Sequence, residues 1–174
     1  MIQRLSEKGR ALAVLQGLDD NWSPVVCSGV VVVTGPNSGQ VILAKLRKVF
    51  EGECFTPYLF DLGFGTRPDK VAVVPSSDPF HYLNIVRTNS ITYRISHAEV
   101  LARVRAWEAR FGFTLDGAGV DWLLGTFSNP PADWQSFAAE VFEFAPDVVR
   151  QGAGSVAALA DELERLGGVY IWWD

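Results

Sequence analysis

Four consecutive valines, Val30 to Val33, constrain this chain more than any other feature. β-branched side chains are stiff at χ1 and crowd a helix, and a short apolar run with no polar face reads as a buried strand. The turn cluster Thr34-Gly35-Pro36-Asn37-Ser38-Gly39 follows at once and ends it. Lys70-Val71-Ala72-Val73-Val74 and Val169-Tyr170-Ile171-Trp172-Trp173 are runs of the same kind. Between them lie segments with helical spacing: Gln40 to Phe50, Ala132 to Phe144, and Ser155 to Leu166. Interleaved strands and helices predict an α+β fold, a single domain over residues 1–174 with one mixed β-sheet and helices packed against it. A chain of 174 residues supports that without disulfides or a structural metal, since at this size about 70% of the unfolded surface is buried.

Local signals fill in the remainder. Ser96-His97-Ala98-Glu99 is a capping box opening a helix that ends near Phe111-Gly112. Asp78 is placed to cap a helix with Pro79 at its first position. Thr56 to Phe60, Phe113 to Leu115 and Trp122 to Phe127 read as strands, and Ile91-Thr92-Tyr93-Arg94-Ile95 alternates as a strand should. A short apolar element spans Ala11 to Leu15, and Gly152-Ala153-Gly154 reads as a flexible joint.

Composition excludes whole classes. With 48% hydrophobic and 20% charged residues the chain is neither disordered nor a coiled coil. Fifteen basic against twenty acidic residues leave a net charge of −5, which argues against a nucleic-acid binder, whose footprint is basic. No apolar run approaches the about 20 residues of a membrane span, so no membrane association is expected. Met1 to Lys8 is charged, with no apolar stretch after it, so no secretory signal is read there and Cys27 and Cys54 are expected as reduced thiols of a cytoplasmic protein.

A resemblance enters in the second half. Ala145-Pro146-Asp147-Val148-Val149, Gln151-Gly152-Ala153-Gly154, Leu159-Ala160-Asp161-Glu162-Leu163 and Tyr170-Ile171-Trp172-Trp173-Asp174 together resemble an uncharacterised bacterial family, domain of unknown function 4253. Ile85-Val86-Arg87-Thr88-Asn89 followed by Tyr93, Gly117-Ala118-Gly119 with Asp121-Trp122, and Pro130-Pro131-Ala132-Asp133 resemble it too. The similarity covers about residues 70–174, leaving 1–69 as a more variable part of the same fold. Where the family pattern usually has Cys, this chain has Ala145. The resemblance implies a shared fold and no assigned activity.

The residues offer no catalytic constellation. His81 and His97 have no His or Cys at ligand spacing, so no metal and no cofactor is expected. No nucleophile elbow occurs, and Cys54 lies near two carboxylates, Glu51 and Glu53, whose charge disfavours a thiolate nucleophile. Gly35-Pro36-Asn37-Ser38-Gly39-Gln40 stands where a phosphate loop would, but lacks the Gly-Lys-Ser/Thr ending and reads as a strand-to-helix turn. The candidate site is instead a set of polar and aromatic residues at element ends: Arg87, Asn89, Tyr93, Asp121, Trp122, Asp133, Asp147, Gln151, Trp173 and Asp174. Two readings follow. One is a protein-interaction domain whose acidic surface steers it to a basic partner, in its concrete form a bacterial immunity protein masking a toxin. The alternative is a small-molecule-binding domain or enzyme with a pocket near Arg87, Asn89 and Asp121, Arg87 being paired with a carboxylate such as Asp121. The balance leans against an enzyme, and oligomeric state is left open.

Overall fold

In a computed structural model of the chain, residues 12–174 are described. The charged stretch Met1 to Lys8 and the Ala11 end of the first apolar element lie outside the described residues. Strands β1 (Leu12–Leu18), β2 (Pro24–Val33), β3 (Thr56–Asp61), β4 (Lys70–Val74), β5 (Phe113–Ala118), β6 (Trp122–Phe127) and β7 (Gly168–Trp172) form a sheet in the order β1-β2-β4-β3-β5-β6-β7. The pairs β1–β2, β2–β4, β3–β4 and β6–β7 are antiparallel, whereas β3 meets β5 in parallel through Leu59 and Gly117, so the sheet is mixed as predicted. The chain divides into two compact units, one running to Arg87 and taking in Gly117–Gly119, the other comprising Thr88–Asp116 and Val120–Asp174.

In the first unit the valine run is the centre of the sheet. Val31 and Val32 are buried, and β2 is flanked by β1 and by the fully buried Val71 to Val74 of β4. Helix α1 (Gly39–Val49) buries Ile42, Leu43 and Leu46 on one face, while Val41, counted among the apolar positions by its spacing, points away and is exposed. Helix α2 (His81–Val86) starts later than Pro79 because the Asp78 carboxylate accepts the N–H of Phe80 at 3.0 Å, a local turn that delays the helix. Its residues Tyr82, Leu83, Ile85 and Val86 are all buried, and it ends at Arg87 in the left-handed region. Gly117 is fixed by close approach: a Cβ there would lie 2.6 Å from the Leu59 carbonyl oxygen, so the parallel contact tolerates no side chain.

The second unit opens with a correction. Ile91 to Arg94 form a turn, not a strand, closed by a single bridge between Ser90 and Ile95. Ser90 Oγ accepts the Tyr93 N–H at 3.2 Å and Arg94 takes a positive φ of 55°, geometry that an extended strand cannot hold. Helix α3 (His97–Phe111) has the predicted capping box and buries Val100, Val104 and Trp107 before stopping at left-handed Gly112. Helix α4 (Trp134–Phe144) begins after Asp133, whose carboxylate accepts the Ser136 N–H and so sets the start two residues later than predicted. Trp107, fully buried, meets Phe113, Phe137 and Phe144 edge-on with centroids 5.8 to 6.0 Å away, so α3, β5 and α4 share one aromatic core. The expected flexible joint is part of a π-helix over Val148–Ala153, followed by α5 (Val156–Leu166) with Ser155 as its cap. None of the described helices is long and apolar enough to cross a membrane.

Candidate functional site

Of the ten residues singled out in the sequence, Tyr93, Gln151 and Asp174 converge on Asp147, and Trp173 is fixed next to Asp174 in the chain. The Asp147 carboxylate is buried and accepts the Tyr93 hydroxyl at 2.5 Å on Oδ1 and the Asp174 N–H at 2.8 Å on Oδ2, with the Gln151 side chain also bonded to it. Trp173 is locked beside it: its indole N–H donates to the Phe144 carbonyl at 2.8 Å and its main-chain N–H to the Asp121 carbonyl at 2.9 Å. Burial works to raise the Asp147 pKa, but the bonds from the Asp174 amide, Tyr93 and Gln151 outweigh it and hold the group below the ordinary aspartate value. The Tyr93 hydroxyl is shifted upward, first by its bond to Asp147 and then by burial. These bonds tie chain segments to one another, so the group acts as a clasp for the C-terminal strand.

The other five have separate roles. Asn89 is buried and donates its main-chain N–H to the Val120 carbonyl at 2.8 Å, anchoring the loop after α2. Asp121 contributes its carbonyl to that clasp, while its side chain is exposed. Trp122 packs against Tyr170 with ring centroids 6.2 Å apart. Asp133 is a helix cap, its pKa lowered by the hydroxyl and amide of Ser136. The expected partner of Arg87 is corrected: its guanidinium pairs with Asp20 in the hairpin between β1 and β2. Spacing along the chain could not reveal this, because the partner is 67 residues away.

A stronger polar cluster escaped the sequence reading. Glu140 on α4 accepts from Arg103 at 2.9 Å, from the Trp107 indole at 2.9 Å and from Arg110 at 2.8 Å. Positions 103, 107 and 110 are spaced four and three apart and so lie on one face of α3, which was the available signal. Burial acts to raise the Glu140 pKa, and the bonds from Trp107, Arg110 and Arg103 bring it below the ordinary glutamate value. Arg103 also lies over the Phe144 ring at 4.9 Å. This cluster cements α3 to α4.

The start of α1 is occupied by the protein's own anion. Asp69, buried, accepts the Gly39 N–H at 2.8 Å on Oδ2 and the Gly63 N–H at 2.7 Å on Oδ1. A carboxylate already satisfies the helix dipole where a phosphate would sit, in line with reading residues 35–40 as a turn.

Among the described residues, four of the six large exposed hydrophobic residues of the first unit, Val14, Trp22, Val25 and Val26, lie on the β1–β2 hairpin, with Val41 and Phe64 elsewhere. Gln16 pairs with Val26 and Val14 with Val30, which puts Val14, Gln16 and Val26 on one face of the ribbon. Val26 is 75% exposed and Val14 62%. The loop between the strands is built on Asp19, whose carboxylate accepts the N–H groups of Asn21 at 2.8 Å and Ser23 at 2.9 Å. In that turn Trp22 takes a φ of 62° and is 46% exposed. A bulky residue in the left-handed region is held against an intrinsic cost of about 1–2 kcal/mol. From Leu12 to Val33 the chain has two acidic residues, Asp19 and Asp20, and no basic one.

Fold and side-chain geometry together define an α+β protein on a seven-stranded mixed sheet, with its second unit fastened by internal carboxylates. The family model described as Domain of unknown function (DUF4253) matches residues 70–174, more than half of the chain, and the chain belongs to that family. No curated protein and no solved structure matches it.

Proposed function

We propose that this chain is a protein-interaction domain that presents its β1–β2 hairpin to a basic protein partner. The observation that supports this is the group Trp22, Val26 and Val14, apolar side chains left in water on one hairpin, with Trp22 held in an unfavourable backbone conformation at the tip. Tryptophan is the side chain most enriched among residues that dominate binding energy, and strain that a fold maintains tends to mark functional segments. The basic character of the partner rests on the net charge of −5, since Asp20 is already paired with Arg87 and the Asp19 carboxylate is bonded to the Asn21 and Ser23 amides. In its concrete form the reading is a bacterial immunity protein that masks a basic toxin in the cytoplasm. The residues named for a small-molecule pocket are engaged otherwise, Arg87 with Asp20 and Asn89 with Val120, so that alternative has no observation in its favour.

The test is native mass spectrometry of the tagged chain recovered from its source cells, beside the double variant Trp22→Ala, Val26→Asp. A second polypeptide in fixed ratio, of basic composition, kept by the wild type and lost by the variant, supports the proposal. Association that slows as salt rises supports the steering. Equal recovery by both chains removes the hairpin from the interface, and a bare wild-type monomer sinks a constitutive partner.

A further inference from the structure

A second surface lies wholly within the matched region. Strand β7 stands last in the sheet order, so among the described residues no strand flanks its outer edge. Trp173 N–H donates to the Asp121 carbonyl at 2.9 Å, and Phe127 N–H to the Gly167 carbonyl at 2.9 Å. In an antiparallel ladder, bonded and non-bonded residues alternate. Val169 and Ile171 of β7, with Gly167 and Trp173 flanking it, are therefore directed at β6, and the main-chain N–H and C=O groups of Gly168, Tyr170 and Trp172 face away from it. Beside this edge is a groove of about 330 Å³ whose walls include Leu163 and Leu166 of α5, Tyr170 and Trp172 of β7, and the charged pair Glu162 and Arg165. The two aromatic rings lie 5.4 Å apart.

We propose that this edge and groove take an extended peptide segment of another protein, added as a further strand with apolar side chains at alternate positions. Gly168 is buried, so the outward groups open to a partner are those of Tyr170 and Trp172, which alternate donor and acceptor along about 7 Å of strand, a pattern matched by another extended backbone. A helical partner has its backbone groups bonded internally and cannot supply them. Alternate side chains of the added strand fall on one face, where Tyr170, Trp172, Leu163 and Leu166 give them apolar contact. Glu162 and Arg165 carry opposite signs, so peptide selection here rests on shape and backbone pairing and is separate from the hairpin.

The probe is a library of end-blocked seven-residue peptides alternating aliphatic and polar positions, screened against the full chain, with the tightest binder followed by amide hydrogen exchange. Binding slows exchange at Tyr170 and Trp172 and shifts tryptophan emission to the blue. Methylating alternate backbone nitrogens of the peptide abolishes binding. Tyr170→Pro deletes one outward donor without touching the β6 ladder and weakens binding by about tenfold. Leu166→Glu, which spoils the groove on an exposed helix face, does the same should the proline variant fail to fold. Trp22→Ala leaves peptide binding unchanged, which separates this site from the hairpin. The proposal is overturned if no peptide binds above a proline-containing control library, or if exchange at 170 and 172 is unmoved. Concentration-dependent self-association lost in Leu166→Glu would replace the peptide by a second copy of the chain, overturning the stated occupant.

Discussion

Removing the Glu140 side chain isolates a single carboxylate that holds two helices. In Glu140→Ala the indole N–H of Trp107, in a fully buried ring, loses its acceptor, and Arg103 and Arg110 lose their anion. An unsatisfied buried donor costs about 1–3 kcal/mol. The two ion pairs add about 0.5 kcal/mol each, because both arginines are partly in water. The sum is about 2–4 kcal/mol, which for a chain of this length lowers Tm by about 5–15 °C. Glu140→Gln keeps an acceptor for Trp107 and discards only the charge, so its loss is about 1 kcal/mol. Urea unfolding followed by near-ultraviolet circular dichroism measures both. The sign with pH is fixed as well: the folded pKa lies below the ordinary value of 4.5, so the carboxylate contributes its full stability above that value. The contribution fades as pH falls through the folded pKa, and the gap between wild type and Glu140→Ala narrows in acid. A loss below about 0.5 kcal/mol in Glu140→Ala, or equal losses in the Ala and Gln variants, refutes the account of Trp107 as the dominant partner.

Three more perturbations have defined outcomes. Gly125→Ala places a Cβ 2.3 Å from the Phe113 ring and 2.5 Å from the Thr114 carbonyl, and is expected to cost about 1–3 kcal/mol in a denaturant titration. Asp69→Ala strips the acceptor from the Gly39 and Gly63 amides and costs about 2 kcal/mol or more, with faster hydrogen exchange at both amides as the specific mark. Asp147→Ala unfastens the Tyr93 hydroxyl and the Asp174 amide, and should speed exchange at Asp174 while leaving the α3 amides alone. Because the Asp147 pKa is depressed, the wild-type advantage over Asp147→Ala is present at neutral pH and disappears in acid as the carboxylate is protonated.

Elements with a local cause were legible in the sequence. The Ser96–Glu99 box carries its own start signal, and the valines of β2 have no comfortable place in a helix. Misreadings arose where a tertiary bond decided the outcome. Ile91 to Ile95 alternates perfectly, but Thr88, Asn89 and Ser90 just before it are buried, and Ser90 bonds Tyr93 and Ile95 so that residues 91–94 close into a turn. The π-helix gives no familiar spacing to read, and Gly152 within it and Gly154 at its C-terminal cap look like a joint. In the candidate site, the clasp residues Tyr93, Asp147, Gln151, Trp173 and Asp174 were found as a set because they sit at element ends. Their pairing was not readable, and neither was the link of Arg87 to Asp20, since each joins distant positions. Glu140 was passed over because a lone glutamate on a helix gives no sign of the neighbour it will face.

The single parallel contact at Leu59 and Gly117 has a consequence for synthesis. It joins positions 58 residues apart, and the first unit includes Gly117–Gly119, which are made long after Arg87. A growing chain that has reached Arg87 can pair β1, β2, β4 and β3 in antiparallel order, yet the flank of β3 stays open until the glycine segment leaves the ribosome. At about 5–20 residues per second that interval lasts seconds, longer than a hairpin needs to form. During it β3 is an uncovered edge strand, and the nascent first unit is at its most vulnerable to pairing with the wrong neighbour.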